Sequence, residues 1–94
     1  MQTIRGDNYT ESATVTGKRC LLYGFVIETD GANNGVVTIY DGNPGTRVVK
    51  VTCKGADLSY GLILRSPIRI NNLLRFTLSG TGATVDVLWA RYVE

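Results

Sequence analysis

Apolar and polar residues alternate along most of the chain with a period of two, the spacing of a half-buried strand, and nowhere sustain the 3.6-residue period of a helix. Residues 36–40 (VVTIY) place Val37 and Ile39 on one face and Val36, Thr38 and Tyr40 on the other. Residues 46–54 gather Val49, Val51 and Cys53 away from Lys50 and Thr52, and residues 73–79 set Leu74, Phe76 and Leu78 against Arg75 and Thr77. Residues 83–93 carry Val85, Val87, Trp89 and Val93 on one side, interrupted by Arg91, and Thr84, Asp86 and Tyr92 on the other. Turn formers separate these runs: Asp30-Gly31, the Asp41 to Gly45 break (DGNPG), Gly55, and Gly80-Thr81-Gly82. Breaks spaced about eight to twelve residues apart predict an all-β fold, a single antiparallel β-sandwich or jelly-roll-like domain of about seven to eight short strands.

Three segments add detail. Residues 18–28 (KRCLLYGFVIE) are apolar on both faces, with Cys20, Leu22, Gly24 and Val26 on one and Leu21, Tyr23, Phe25 and Ile27 on the other. Such a strand is expected to be buried on both sides or covered by a partner subunit, and Gly24 in its middle suggests a bulge or a close backbone approach. With the two runs that follow, it predicts a three-stranded meander over residues 18–54. Pro67 has no N–H to give a ladder, so it belongs at an edge or a corner. Residues 1–16, with two short runs around Gly6-Asp7-Asn8, read as an N-terminal arm or edge strand ahead of a sandwich domain at 17–94.

Composition strengthens the β reading: β-branched and aromatic residues number 35, against 13 for Ala, Glu, Lys, Gln and Met together. At 94 residues the area scaling laws bury about 64% of the unfolded surface, which makes a thin core and favours stabilisation by oligomerisation. The N-terminal residues show no apolar leader, so folding in a cytoplasm is expected. There Cys20 and Cys53 are expected as two free thiols behaving as small core hydrophobes; one disulfide is the alternative.

The candidate chemistry is sparse. There is no histidine, which removes imidazole acid/base catalysis, histidine triads and histidine metal sites. The eight acidic residues do not suggest a converging pair; Asp30 and Asp41 each precede a glycine in a turn, where local backbone bonding accounts for them. The 30–34 loop (DGANN) lacks the spacing of an EF-hand calcium loop. The formal charge is only +2 and the seven arginines are scattered, so a nucleic-acid footprint is not expected. Neither an enzyme nor a cofactor or metal site is expected. The tyrosines and Trp89 leave a carbohydrate-binding platform as an alternative to core or interface packing; that platform would need Tyr40, Tyr60 or Trp89 exposed.

The succession LLYGFVIETDGANNGVVTIYDG, TRVVKVTCKG and GLILRSPIRINNLLRFTLSGTGATVDVLWARY, covering most of the chain, resembles small β-sandwich virion proteins of tailed bacteriophages. That resemblance implies a non-enzymatic structural protein of the virion, assembled in the host cytoplasm: a capsid decoration or cement protein, with a fibre, neck or tail component as the alternative. Its expected partners are further copies of itself, a trimer being favoured, and the major capsid or another virion protein, with no membrane. Ile4 and Arg5 in the arm, and Tyr23 and Phe25 on the second apolar face of the 18–28 strand, are the expected contact residues. A charge placed at Tyr23 or Phe25 is expected to abolish assembly and leave the fold intact.

Overall fold

The computed structural model describes residues 4–42 and 45–91. Its strands are β1 (Arg5–Tyr9), β2 (Ala13–Thr16), β3 (Cys20–Glu28), β4 (Gly35–Asp41), β5 (Thr46–Cys53), β6 (Ser59–Ile70), β7 (Leu74–Ser79) and β8 (Thr84–Arg91), with a 3-10 turn at Gly55–Asp57 before β6. They form two four-stranded antiparallel sheets, β1-β8-β3-β6 and β2-β7-β4-β5. The pairs β1·β8, β2·β7, β3·β6 and β4·β5 are those of one long hairpin folded at the β4–β5 turn and rolled up. Pairings β3·β8 and β4·β7 then join the roll into sheets, which is the jelly roll of eight strands.

The inward faces follow the alternation read from the sequence. Val37 and Ile39 of β4, Leu74 and Phe76 of β7, and Val85, Val87 and Trp89 of β8 are all buried in one core between the sheets. Cys20 and Cys53 are free and buried within it. Tyr9 and Phe76 meet edge to face at 5.0 Å, linking β1 of one sheet to β7 of the other. On the opposite flank, between edge strands β5 and β6, Val48, Val49, Val51, Leu62, Leu64 and Ile68 are only partly buried.

The structure corrects two expectations. First, residues 18–54 are not a meander. Strand β3 lies in one sheet and β4 and β5 in the other, so the 29–34 loop crosses the sandwich. The loop is built for that turn: the Asp30 carboxylate accepts the N–H groups of Ala32 and Asn33 and the Asn33 side-chain amide at 2.8–2.9 Å. These bonds hold the Asp30 carboxyl below its usual 3.8. Of the two readings of residues 1–16, arm or edge strand, the described part takes the second: β1 and β2 are edge strands of the chain's own sheets. Residues 1–3 of that arm lie outside the described residues, as do Asn43 and Pro44 of the DGNPG break and Tyr92 and Val93.

The second correction changes the site. Between Leu22 and Gly24 strand β3 gains a residue relative to β8, so that Leu22 faces Trp89 but Gly24 faces Leu88. This bulge at Tyr23 inverts the alternation beyond it. Cys20 and Leu22 point inward as expected, but Phe25 and Ile27 then take the inward positions, 1% and 0% exposed, and Val26 turns outward. Phe25 is therefore core and not part of an outer contact face. Gly24 supplies the close approach, because a Cβ there would stand 2.2 Å from the Leu62 carbonyl oxygen. Opposite the same bulge, residues 64–67 of β6 stand against the lone Tyr23, which places Pro67 in an irregular stretch of an edge strand.

Candidate interaction surface

Strand β6 begins abruptly because its entry is pinned. Gly55 N–H donates to Asn34 Oδ1 and Gly55 O accepts from Thr29 Oγ1, each at 2.9 Å. The 3-10 turn then closes with Leu58 N–H on Gly55 O. Leu58 sits at φ 68°, the one positive φ among the described non-glycine residues, and its carbonyl accepts Thr29 N–H at 2.8 Å. This geometry throws the Leu58 side chain outward, 59% exposed. Tyr60 and Ile63 follow on the strand at 48% and 64%, so β6 and its entry hold three of the four large hydrophobic residues that the described chain exposes.

Ile63 continues into an apolar patch on the outer face of its sheet. Pairing aligns Gly6, Leu88, Gly24 and Ile63 in one row across the four strands, and Asn8, Asp86, Val26 and Gly61 in the next. Larger side chains lean over the glycines: Leu88 lies over Gly6, Ile63 over Gly24 and Val26 over Gly61. The result is a low surface of Leu88, Val26 and Ile63, bounded by the Asn8–Asp86 hydrogen bond at 2.6 Å.

Of the four residues expected to make contacts, Ile4 is 52% exposed just before β1. Arg5 is exposed but engaged, its guanidinium 5.2 Å from the Trp89 ring centre. Tyr23 is half-buried at the bulge, and Phe25 is in the core. The four do not share one surface. The aromatic platform does not assemble either. Trp89 is buried with its indole N–H on Asp7 Oδ2 at 2.9 Å, Tyr40 lies under the Arg75 guanidinium at 4.2 Å, and Tyr60 stands apart on the β6 edge.

Two features had no counterpart among the sequence-based expectations, apart from the exposure of Tyr60 that the platform alternative required. Leu58 and Tyr60 carried a signal, an apolar run resuming directly after a turn, but which strand forms a sheet edge is decided by pairing. The other is an open cleft of about 600 Å³ lined by Thr16, Gly17, Lys18, Arg19 and Arg91. Its cations come from the β2–β3 connection and the end of β8, brought together by the pairing of Cys20 with Arg91. Among the described residues, no group of three or more His, Cys, Asp or Glu could hold a metal ion, and no helix is long and apolar enough to cross a membrane.

The buried thiols make a direct prediction. Burial, with a smaller push from the Asp41 carboxylate, raises the Cys20 thiol to about 11. At pH 8 its thiolate fraction is then about a hundredfold below that of an unperturbed cysteine. Thiol titration with an aromatic disulfide is expected to label Cys20 at least about a hundredfold more slowly in the native protein than in denaturant. Equal rates in the two states would show Cys20 to be accessible.

What the fold and this surface define is a jelly-roll sandwich with one apolar edge strand. No protein-family model matches the chain, and no curated protein matches it.

Proposed function

We propose that this chain is a non-enzymatic structural protein that works through protein contacts, as a capsid decoration or cement protein of a tailed-phage virion. The observation that carries the reading is the concentration of exposed apolar side chains along one sheet edge: Leu58 at the entry to β6, Tyr60 on the face that its pairing shares with Ile27, and Ile63 on the opposite, outer face beside Leu88 and Val26. Apolar surface gathered in one place marks an interaction site, whereas scattered exposed residues do not. The resemblance of the sequence to small phage virion proteins supports the virion setting, and the jelly roll is an architecture that viral capsid domains use, as lectin domains do. Burying such a patch against a neighbouring capsomer contributes roughly 25 cal/mol per Å² of apolar area, which raises the free energy needed to separate the subunits it bridges.

Density-gradient separation of particles from an infected culture, probed with an antibody to this chain, tests the proposal. The chain is expected to band with full and tailless heads. Recovery only with detached tails favours the fibre, neck or tail role, and recovery only as free protein at the top of the gradient overturns the virion reading.

A further inference from the structure

We infer that two copies of this chain pair through residues 59–63 of β6, joining their four-stranded sheets into one continuous eight-stranded sheet. Such a pairing supplies a partner for the contact-based function proposed above and rests on that reading. Among the described strands, β6 bonds to β3 alone. Because the Leu58 carbonyl accepts the Thr29 N–H, the alternation of an antiparallel ladder turns the backbone of Tyr60 and Leu62 toward β3. The N–H and C=O groups of Ser59, Gly61 and Ile63 therefore point away from the sheet, open to another strand.

Edges are normally guarded by charge, proline, bulges or shortness, and the other edges described here are. Strand β1 carries Arg5 and Asp7, β2 has only 4 residues, and β5 carries Arg47 and Lys50 with a register shift. The second half of β6 is guarded too, by Arg65, Pro67 and the irregular stretch opposite Tyr23. Residues 59–63 (SYGLI) have no charge, no proline and no bulge.

The occupant is a second copy because the segment complements itself. Around a two-fold axis at Gly61, Gly61 pairs with Gly61 of the second copy and Ser59 with its Ile63, and each such pair exchanges two N–H···O bonds. Tyr60 then packs beside Leu62 of the second copy. Beyond the ladder, Leu58 lies at the strand entry next to Leu64 of the second copy, and at both ends the 3-10 turn that carries Asp57 adjoins the strand position of Arg65, apolar against apolar and acid against base. Both Asp57 and Arg65 are exposed. This contact closes at two copies, in place of the trimer that the sequence suggested.

The test combines sedimentation equilibrium with amide exchange, using the wild type, Asp57→Arg, Arg65→Asp and the double reversal. Both residues are exposed, so all four proteins are expected to fold. The wild type is expected to be a dimer at about 100 µM, each single reversal to weaken dimerisation about tenfold or more, and the double reversal to restore it to within about threefold. The amides of Ser59, Gly61 and Ile63 should gain protection as concentration rises, while those of Tyr60 and Leu62 are protected throughout. A monomer or trimer at that concentration overturns the pairing, as does a dimer indifferent to the reversals with those three amides exchanging freely. Banding with heads in the density gradient is read separately. A monomer that still bands with heads ends this pairing alone, and a dimer that never does so ends the virion reading alone.

Discussion

Truncating Phe25 to alanine is expected to cost about 3–5 kcal/mol of folding stability. Phe25 is among the largest fully buried side chains and stands between Val87 and Leu62 in the centre of its sheet. Removing its ring leaves a cavity that the flanking strands, hydrogen-bonded on both sides, cannot collapse to fill. A domain of this length has a total stability of about 5–14 kcal/mol, so the loss is a large fraction of the whole. Replacing the ring by aspartate should unfold the chain, since an unpaired carboxylate would enter the core. Tyr23→Asp, two residues away at the half-buried bulge, should remain folded. Urea unfolding followed by circular dichroism separates the cases. A wild-type midpoint for Phe25→Ala would mean that the alternation of β3 is not inverted and that Phe25 lies on the surface.

A single methyl group at Gly24 is expected to be nearly as damaging, at about 2–4 kcal/mol. The Cβ of an alanine would fall 2.2 Å from the Leu62 carbonyl oxygen and 3.1 Å from the Ile63 Cα, at a φ of 155°. Both contacts are backbone, so relief requires β6 to move away from β3 just where the sheet passes from regular pairing into its irregular stretch. Gly17→Ala is the matched control: the residue is exposed, nothing lies within 4 Å of where the new methyl group would stand, and stability should change by no more than about 0.5 kcal/mol. The same unfolding measurement decides; equal midpoints for the two variants would remove the close approach as the reason for glycine at position 24.

Strand β3 also shows how far local patterning reaches. Its apolar character and the special status of Gly24 were legible, because burial demands apolar residues and glycine in a strand signals a bulge or a close approach. Which face each residue took was not. A bulge adds one residue without altering composition, and every side chain beyond it changes sides, so Phe25 moved from the expected contact surface to the core. The exposed apolar edge was not legible for a related reason. Leu58, Tyr60 and Ile63 resemble the core residues of any other strand until the pairing order leaves β6 at an edge.

Alternation, turn formers and Pro67 were thus enough to establish an antiparallel sandwich of about eight strands, because the side-chain period of two and the backbone needs of turns are properties of neighbouring residues. The division of β3 and β4 between two sheets, the phase of β3 past Tyr23, the gathering of Lys18, Arg19 and Arg91, and the open edge at residues 59–63 were decided in three dimensions. Each depends on which distant segments share hydrogen bonds, and those partnerships are set by the packing of the whole roll.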